Sequence, residues 1–135
     1  MTKLTNTKSI KQIRAFLQNE SKIKQAILFG SYAKATQMED SDIDLAIQLE
    51  KPMTAIQKLA YVERLQNCTD TEIDLIDLLT VGQPLLSQIM KYGKRLKGNS
   101  TQYAKLAVRN VNTTQDFMPA IKYIMKARRE RLLNG

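Results

Sequence analysis

An aspartate on every second residue of an apolar run constrains this chain more than any other feature. Ser41-Asp42-Ile43-Asp44-Leu45-Ala46-Ile47, read as a strand, puts Ile43, Leu45 and Ile47 on one face and Asp42, Asp44 and Ala46 on the other. Side chains at i and i+2 share a face, with Cα atoms roughly 6.6 Å apart, so both carboxylates can lean onto one hard cation. Further along, Thr71-Glu72-Ile73-Asp74-Leu75-Ile76-Asp77-Leu78 is a second strand-like run with Asp74 between apolar neighbours. If the two strands lie side by side, Asp74 completes a three-carboxylate cluster on the same face. Asp77 is out of phase with Asp74 and is expected as a strand-end or surface residue.

Upstream, Ala26-Ile27-Leu28-Phe29 reads as a buried strand that enters a Gly30-Ser31 turn. Gly30 permits backbone angles closed to other residues and lets a phosphate approach the main chain. The hydroxyl and amide of Ser31 fall where a helix would begin, and a helix N-terminus favours an anion. Lys34 can neutralise a phosphate. A Gly-Ser turn alone is common, and so is Asp-x-Asp alone. Joined across ten intervening residues and followed by a second Asp-bearing strand, they point to nucleotide chemistry on a divalent cation. Magnesium suits such a site, because it takes a few carboxylate oxygens and completes its octahedron with substrate phosphates and water. The candidate nucleotide-binding residues are therefore Gly30, Ser31 and Lys34. The candidate catalytic and metal-ligating residues are Asp42, Asp44 and Asp74.

Composition removes the competing chemistries. The chain has no histidine, which excludes Ser-His and Cys-His hydrolases and leaves zinc poorly served. Cys68 is the lone cysteine and cannot form an internal disulfide, which fits a reducing cytoplasm. No apolar run approaches the ~20 residues that span a bilayer, and Met1–Asn6 lacks the apolar core of a secretory signal. At 135 residues one domain is expected. Charge is divided unevenly. Residues 1–90 carry a net −1 and residues 91–135 a net +9, with no acidic residue between Asp77 and Asp116. The acids thus gather around the proposed site, and the C-terminal third offers a basic surface to triphosphate or to an acidic partner. Direct nucleic-acid binding is not expected, since no set of stacking aromatics accompanies the charge.

Periodicity places the elements. Ile10, Ile13, Phe16 and Leu17 mark an amphipathic helix over ~7–19. Strands follow at ~25–29, ~42–49 and ~71–78, with a loop and short helix over ~30–40. Thr54 is a good N-cap for a helix to about Gln66. Gly82 and Pro84 open another to about Tyr92, which Gly93 stops before a short extended piece at Lys94–Lys97. Asn99 or Ser100 caps a last helical region that Pro119 should break or kink. The expected class is α/β (α+β): a small mixed sheet with helices packed on one side. Residues 1–98 form the catalytic core, and 99–135 form a basic helical region.

Taken together, the Gly30-Ser31-Tyr32-Ala33 turn, the Ser41–Leu45 strand and the Ile73–Leu78 segment resemble the polymerase-β-like nucleotidyltransferase superfamily. Within it, they look like the minimal nucleotidyltransferase (MNT) branch. Pro84-Leu85-Leu86, Ile89-Met90, Gly93 and Leu96 are similar to that branch, as is the basic region through Asp116, Pro119, Tyr123 and Arg128. The resemblance spans almost the whole chain and reaches the antitoxins of HEPN–MNT toxin–antitoxin pairs. It implies transfer of AMP from ATP to a tyrosine hydroxyl of a HEPN ribonuclease toxin, with one or two Mg²⁺ ions and Asp74 as proton acceptor. Ala35 departs from the glycine usual at its position in the phosphate loop. The alternatives are a small-molecule hydroxyl as acceptor, or an antitoxin that acts by binding alone.

Overall fold

The computed structural model describes residues 2–30 and 42–113, the side chains of residues 2–7 and 113 excepted. The loop expected over 30–40, with Ser31, Lys34 and Ala35, and the C-terminal positions Asp116, Pro119, Tyr123 and Arg128 lie outside the described residues, Gly30 apart. Along the chain run α1 (Thr2–Asn19), β1 (Gln25–Phe29), β2 (Ile43–Gln48), α2 (Ala55–Gln66), β3 (Ile73–Asp77), α3 (Leu85–Tyr92), β4 (Lys94–Lys97) and α4 (Ser100–Thr113). The strands form one mixed sheet in the order β3-β2-β1-β4. β1 pairs antiparallel with both β2 and β4, whereas β2 and β3 run parallel.

The expected class holds, and so do most element positions. α1 starts earlier than expected because no Pro or Gly interrupts Thr2–Asn19, while the apolar spacing that locates the helix begins only at Ile10. α2 opens as foreseen, with a reciprocal capping box. Gln57 N–H donates to the Thr54 hydroxyl (3.1 Å), and Thr54 N–H donates to Gln57 Oε1 (2.9 Å). At the start of α4, Asn99 Oδ1 accepts from Gln102 N–H at 2.8 Å. No helix among the described residues is long and apolar enough to cross a membrane.

Helices cover more of the sheet than one side. Ile13 and Leu17 of α1 and Tyr61 and Leu65 of α2 bury the face made by Leu28, Ile43, Leu45, Ile47, Ile73 and Leu75. Leu86 and Ile89 of α3 and Leu106 of α4 pack on Ile27, Phe29 and Ala46 of the second face. All five residues of β1 are buried, so that strand needs cover on both sides. α3 approaches closely because Gly93 ends it: a Cβ there would lie 2.4 Å from the Ile27 side chain. Among the described residues, the apolar cluster on the second face does not extend to the end that carries the aspartates.

Long-range polar contacts fix the strand ends. Lys97 Nζ donates to the carbonyls of Leu17 (2.6 Å) and Glu20 (2.7 Å), closing the C-terminus of α1 from β4. Arg64 of α2 pairs with Glu20 at 3.0 Å and lies over the Phe16 ring. Asp77 is a strand-end residue, but it is half-buried and doubly engaged. Its Oδ2 accepts from Met53 N–H (2.7 Å) and its Oδ1 from Leu79 N–H (2.9 Å). It therefore ties the loop before α2 to the turn after β3. Asp77→Ala leaves two partly buried amides without acceptors and should cost about 2 kcal/mol of stability, read by urea unfolding. A loss under about 0.5 kcal/mol would mean that water replaces the carboxylate without penalty.

Candidate active site

Three pieces of backbone converge at one end of the sheet. β1 delivers Gly30, β2 carries Asp44 with Asp42 just before it, and β3 carries Asp74. The parallel register sets Asp44 directly beside Asp74, and the antiparallel register sets Asp44 opposite Phe29. Asp44 and Asp74 therefore share the second face, Asp44 half-buried and Asp74 exposed. Gln66 at the end of α2 secures this edge. Its amide donates to the Thr71 carbonyl (3.0 Å), and its Oε1 accepts from Ile73 N–H (2.8 Å). Ile43 N–H donates to the Glu72 carbonyl at 2.8 Å, which closes the β2–β3 pairing beside Asp42. No local pattern signals Gln66, because both its partners lie across a turn in β3 or just before it.

The electrostatics at this end are those of crowded negative charge. Partial burial, then Asp74, then Asp42 push the Asp44 carboxyl up to about 6, with a hydrogen bond to Asp74 adding to the rise. Asp44 and Asp74 are the tight pair. Asp42, exposed and felt through space, is the looser third member. Among the described residues, no three acids stand in a finished cation cage. Two adjoining carboxylates are nevertheless a usual protein contribution to a magnesium site that substrate phosphates complete.

Gly30 has a reason of its own to be glycine. Its φ is +73°, and a Cβ built there would fall 2.1 Å from Asp44 Oδ2. The sequence suggests that a phosphate needs the close approach; in the structure Asp44, a carboxylate of the chain itself, already makes it. At the far end of β3 from Asp74 stands Arg109 of α4. Its guanidinium donates to the carbonyls of Leu78 and, at 2.9 Å, Val81, pinning the turn that leaves β3. Burial lowers the Arg109 pKa, and Asp77 opposes that shift.

Comparisons with known proteins agree with this geometry. Residues 11–102 match the family model for polymerase beta nucleotidyltransferases. The chain is 31% identical over 115 residues to the protein adenylyltransferase MntA of Shewanella oneidensis, covering 85% of this chain and 81% of that one. A chain of a solved toxin–antitoxin with AMP-PNP superposes with a TM-score of 0.69 at 29% identity, over 90% of this chain and 95% of the other. A chain of the complex between tri-AMPylated Shewanella oneidensis HEPN toxin and MNT antitoxin gives 0.63 at 27% identity, over 94% and 98%. The acid-bearing parallel strand pair, the glycine turn against it and these matches agree: the chain belongs to the polymerase-β-like nucleotidyltransferase family, on its minimal, MntA-like branch.

Proposed function

We propose that this chain is the antitoxin of a HEPN–MNT pair, an adenylyltransferase that moves AMP from ATP to a tyrosine hydroxyl of its HEPN ribonuclease toxin. The observation that carries the chemistry is the register of Asp44 beside Asp74, with Asp42 crowding the same carboxyl. The relative named as a protein adenylyltransferase and the tri-AMPylated HEPN toxin in the solved complex support the acceptor. In this reading residues 1–98 are the catalytic core and 99–135 a basic region of the same domain, and the protein works in the cytoplasm. Leu106 of α4 buried in the second core cluster favours that single unit.

The site residues fit a divalent cation. Crowded carboxylates gain from one, and the missing Cβ at Gly30 leaves the room that Asp44 Oδ2 occupies. Asp42 and Asp44 would hold Mg²⁺, and Asp74 would share a second ion where two are used. When bound, the metal neutralises the departing pyrophosphate and acidifies the acceptor hydroxyl. The amides and hydroxyl of the Gly30-Ser31 turn, with Lys34, receive the β- and γ-phosphates of ATP. A tyrosine hydroxyl has an ordinary pKa near ~10, so its proton needs an acceptor at neutral pH, and Asp74 takes it. The phenolate oxygen bonds to the α-phosphorus as the bond to the β-phosphate bridge breaks, and pyrophosphate leaves. The added phosphate puts negative charge and bulk on the toxin where RNA would approach.

Incubation of the toxin with this chain, Mg²⁺ and α-phosphate-labelled ATP tests the reading. Label should appear on a toxin tyrosine and be lost in Asp42→Asn and Asp44→Asn variants; label that persists in both removes the assignment. The rate should also fall as pH drops through about 6, where Asp44 takes up a proton that competes with the cation. More Mg²⁺ should move that limb to lower pH. A profile flat from roughly pH 5 to 8 would separate Asp44 from metal binding.

A further inference from the structure

Helix α3 has three differently employed sides. Leu86 and Ile89 go down into the second core cluster, and both are buried. Ser87 turns toward α4, where its hydroxyl donates to Asn110 Oδ1 at 3.0 Å. Leu85, Gln88 and Tyr92, at i, i+3 and i+7, form the third side, turned away from α4. That side faces the aspartates, because α4 lies across the opposite pole of the sheet. Gln48, the last residue of β2, donates to Gln102 of α4 at 3.4 Å, and Arg109 holds the carbonyls of Leu78 and Val81 beyond β3. The flank of α3 turned from α4 therefore looks toward the beginnings of β2 and β3, where Asp44 and Asp74 stand side by side. Leu85 packs against the cluster beside Ile76, which sits two residues after Asp74 on the same face, roughly 6.6 Å away. Tyr92, 40% exposed, lies about 10 Å further along the helix. Next to it, Gly93 fits against Ile27 of β1, three residues before Gly30.

We propose that this flank of α3 is the nucleoside wall of the site, with Tyr92 stacked on the adenine of ATP and Gln88 reading its edge. The proposal rests on the adenylyltransferase reading. In-line displacement supplies the direction. The acceptor oxygen enters beside Asp74 on the edge strand, and pyrophosphate departs toward the Gly30 turn, so the line of reaction follows the sheet order β3-β2-β1. The nucleoside is the third substituent of the α-phosphorus and must leave that line. Among the described residues, α3 flanks the line on the face that carries Asp44 and Asp74. A tyrosine ring there offers a stacking surface to any base. Gln88 is exposed, and a glutamine amide matches the N6 donor and N7 acceptor of adenine together. Guanine, with an acceptor at O6, does not complete that pair. Tyr92 would thus set affinity, and Gln88 the preference for ATP.

Equilibrium binding of ATP, GTP and inorganic tripolyphosphate to the full chain, each with Mg²⁺, tests this, with label transfer to the HEPN toxin followed in parallel. Tyr92→Ala should weaken ATP about tenfold or more and leave tripolyphosphate unchanged, while Tyr92→Phe keeps the affinity for ATP. Gln88→Ala should lose most of the preference for ATP over GTP, again with tripolyphosphate unchanged. In transfer, Tyr92→Ala should raise the KM for ATP in the same proportion and leave the KM for toxin where it was. Matched thermal melting excludes misfolding as the cause. Unchanged ATP affinity in Tyr92→Ala overturns the proposal, and so does an ATP-to-GTP ratio that Gln88→Ala does not move. An equal loss of tripolyphosphate also overturns it, by making Tyr92 a support of the phosphate turn. A rise in the KM for toxin alone does the same, by making Tyr92 a toxin contact. A wild-type chain that binds ATP through Tyr92 but passes no label to toxin would leave the wall standing and remove the adenylyltransferase reading.

Discussion

Asp44→Asn should lower AMP transfer by at least about 10³-fold and, at the same time, make the folded chain more stable at neutral pH. The activity follows from charge: asparagine keeps the shape but cannot hold a divalent ion against ATP. The stability follows from proton linkage. In the folded chain Asp44 keeps its proton up to about 6, whereas an unfolded aspartate releases it near 3.8. Between those values the folded state binds the extra proton, so stability falls as pH rises through the window, and the full penalty is present above about 6. Asparagine carries no such penalty. Because Asp44 is only partly buried, solvent screens the effect, and a gain of up to about 1 kcal/mol is the expected scale. Thermal melting at pH values below and above the window checks it, with the advantage of the variant widening as pH rises. A variant that is inactive but less stable than wild type throughout would show that the carboxylate is structural.

The second large effect is expected at Gly30. Alanine there meets two penalties at once. A φ of +73° costs an L-residue roughly 1–2 kcal/mol. The new Cβ would also fall 2.1 Å from Asp44 Oδ2, so the carboxylate has to move. A displacement on that scale at a reacting centre lowers the rate by about 10²-fold. The two penalties separate in a double variant. With Asp44→Ala the carboxyl clash is gone and only a Cβ 3.3 Å away remains, so Gly30→Ala should then cost little beyond its backbone part in urea unfolding. Equal costs in both backgrounds would mean that Gly30 serves the turn alone and not the position of Asp44.

Much of this site can be read before any coordinates are known, for reasons that particular residues make plain. Alternation in Ser41–Ile47 fixes which side chains share a face, and the structure sets Asp44 beside Asp74 in the neighbouring strand. Thr54 and Gln57 declare the start of α2, because a capping box is wholly local. What stays hidden is what depends on distant partners. A run such as Gln25–Phe29, buried throughout, does not say which layer covers which face, so α3 and α4 on the second side are unexpected. Asp77 reads as a strand-end or surface position; it does end β3, but its hold on the Met53 amide, 24 residues away, leaves no local sign. Lys97 reads as part of a basic surface, yet its ammonium closes α1. Gly30 is marked for a turn by its identity, but only the fold reveals that Asp44 presses against it.

One experiment bears on all of this at once: weighing the intact HEPN toxin by mass spectrometry after incubation with this chain, ATP and Mg²⁺. The toxin should gain one or more adenylate masses on tyrosine, and none with Asp42→Asn or Asp44→Asn, each variant melting as a folded protein. An unmodified toxin in the presence of active wild-type chain, or full modification by both variants, would contradict a transferase built on these aspartates.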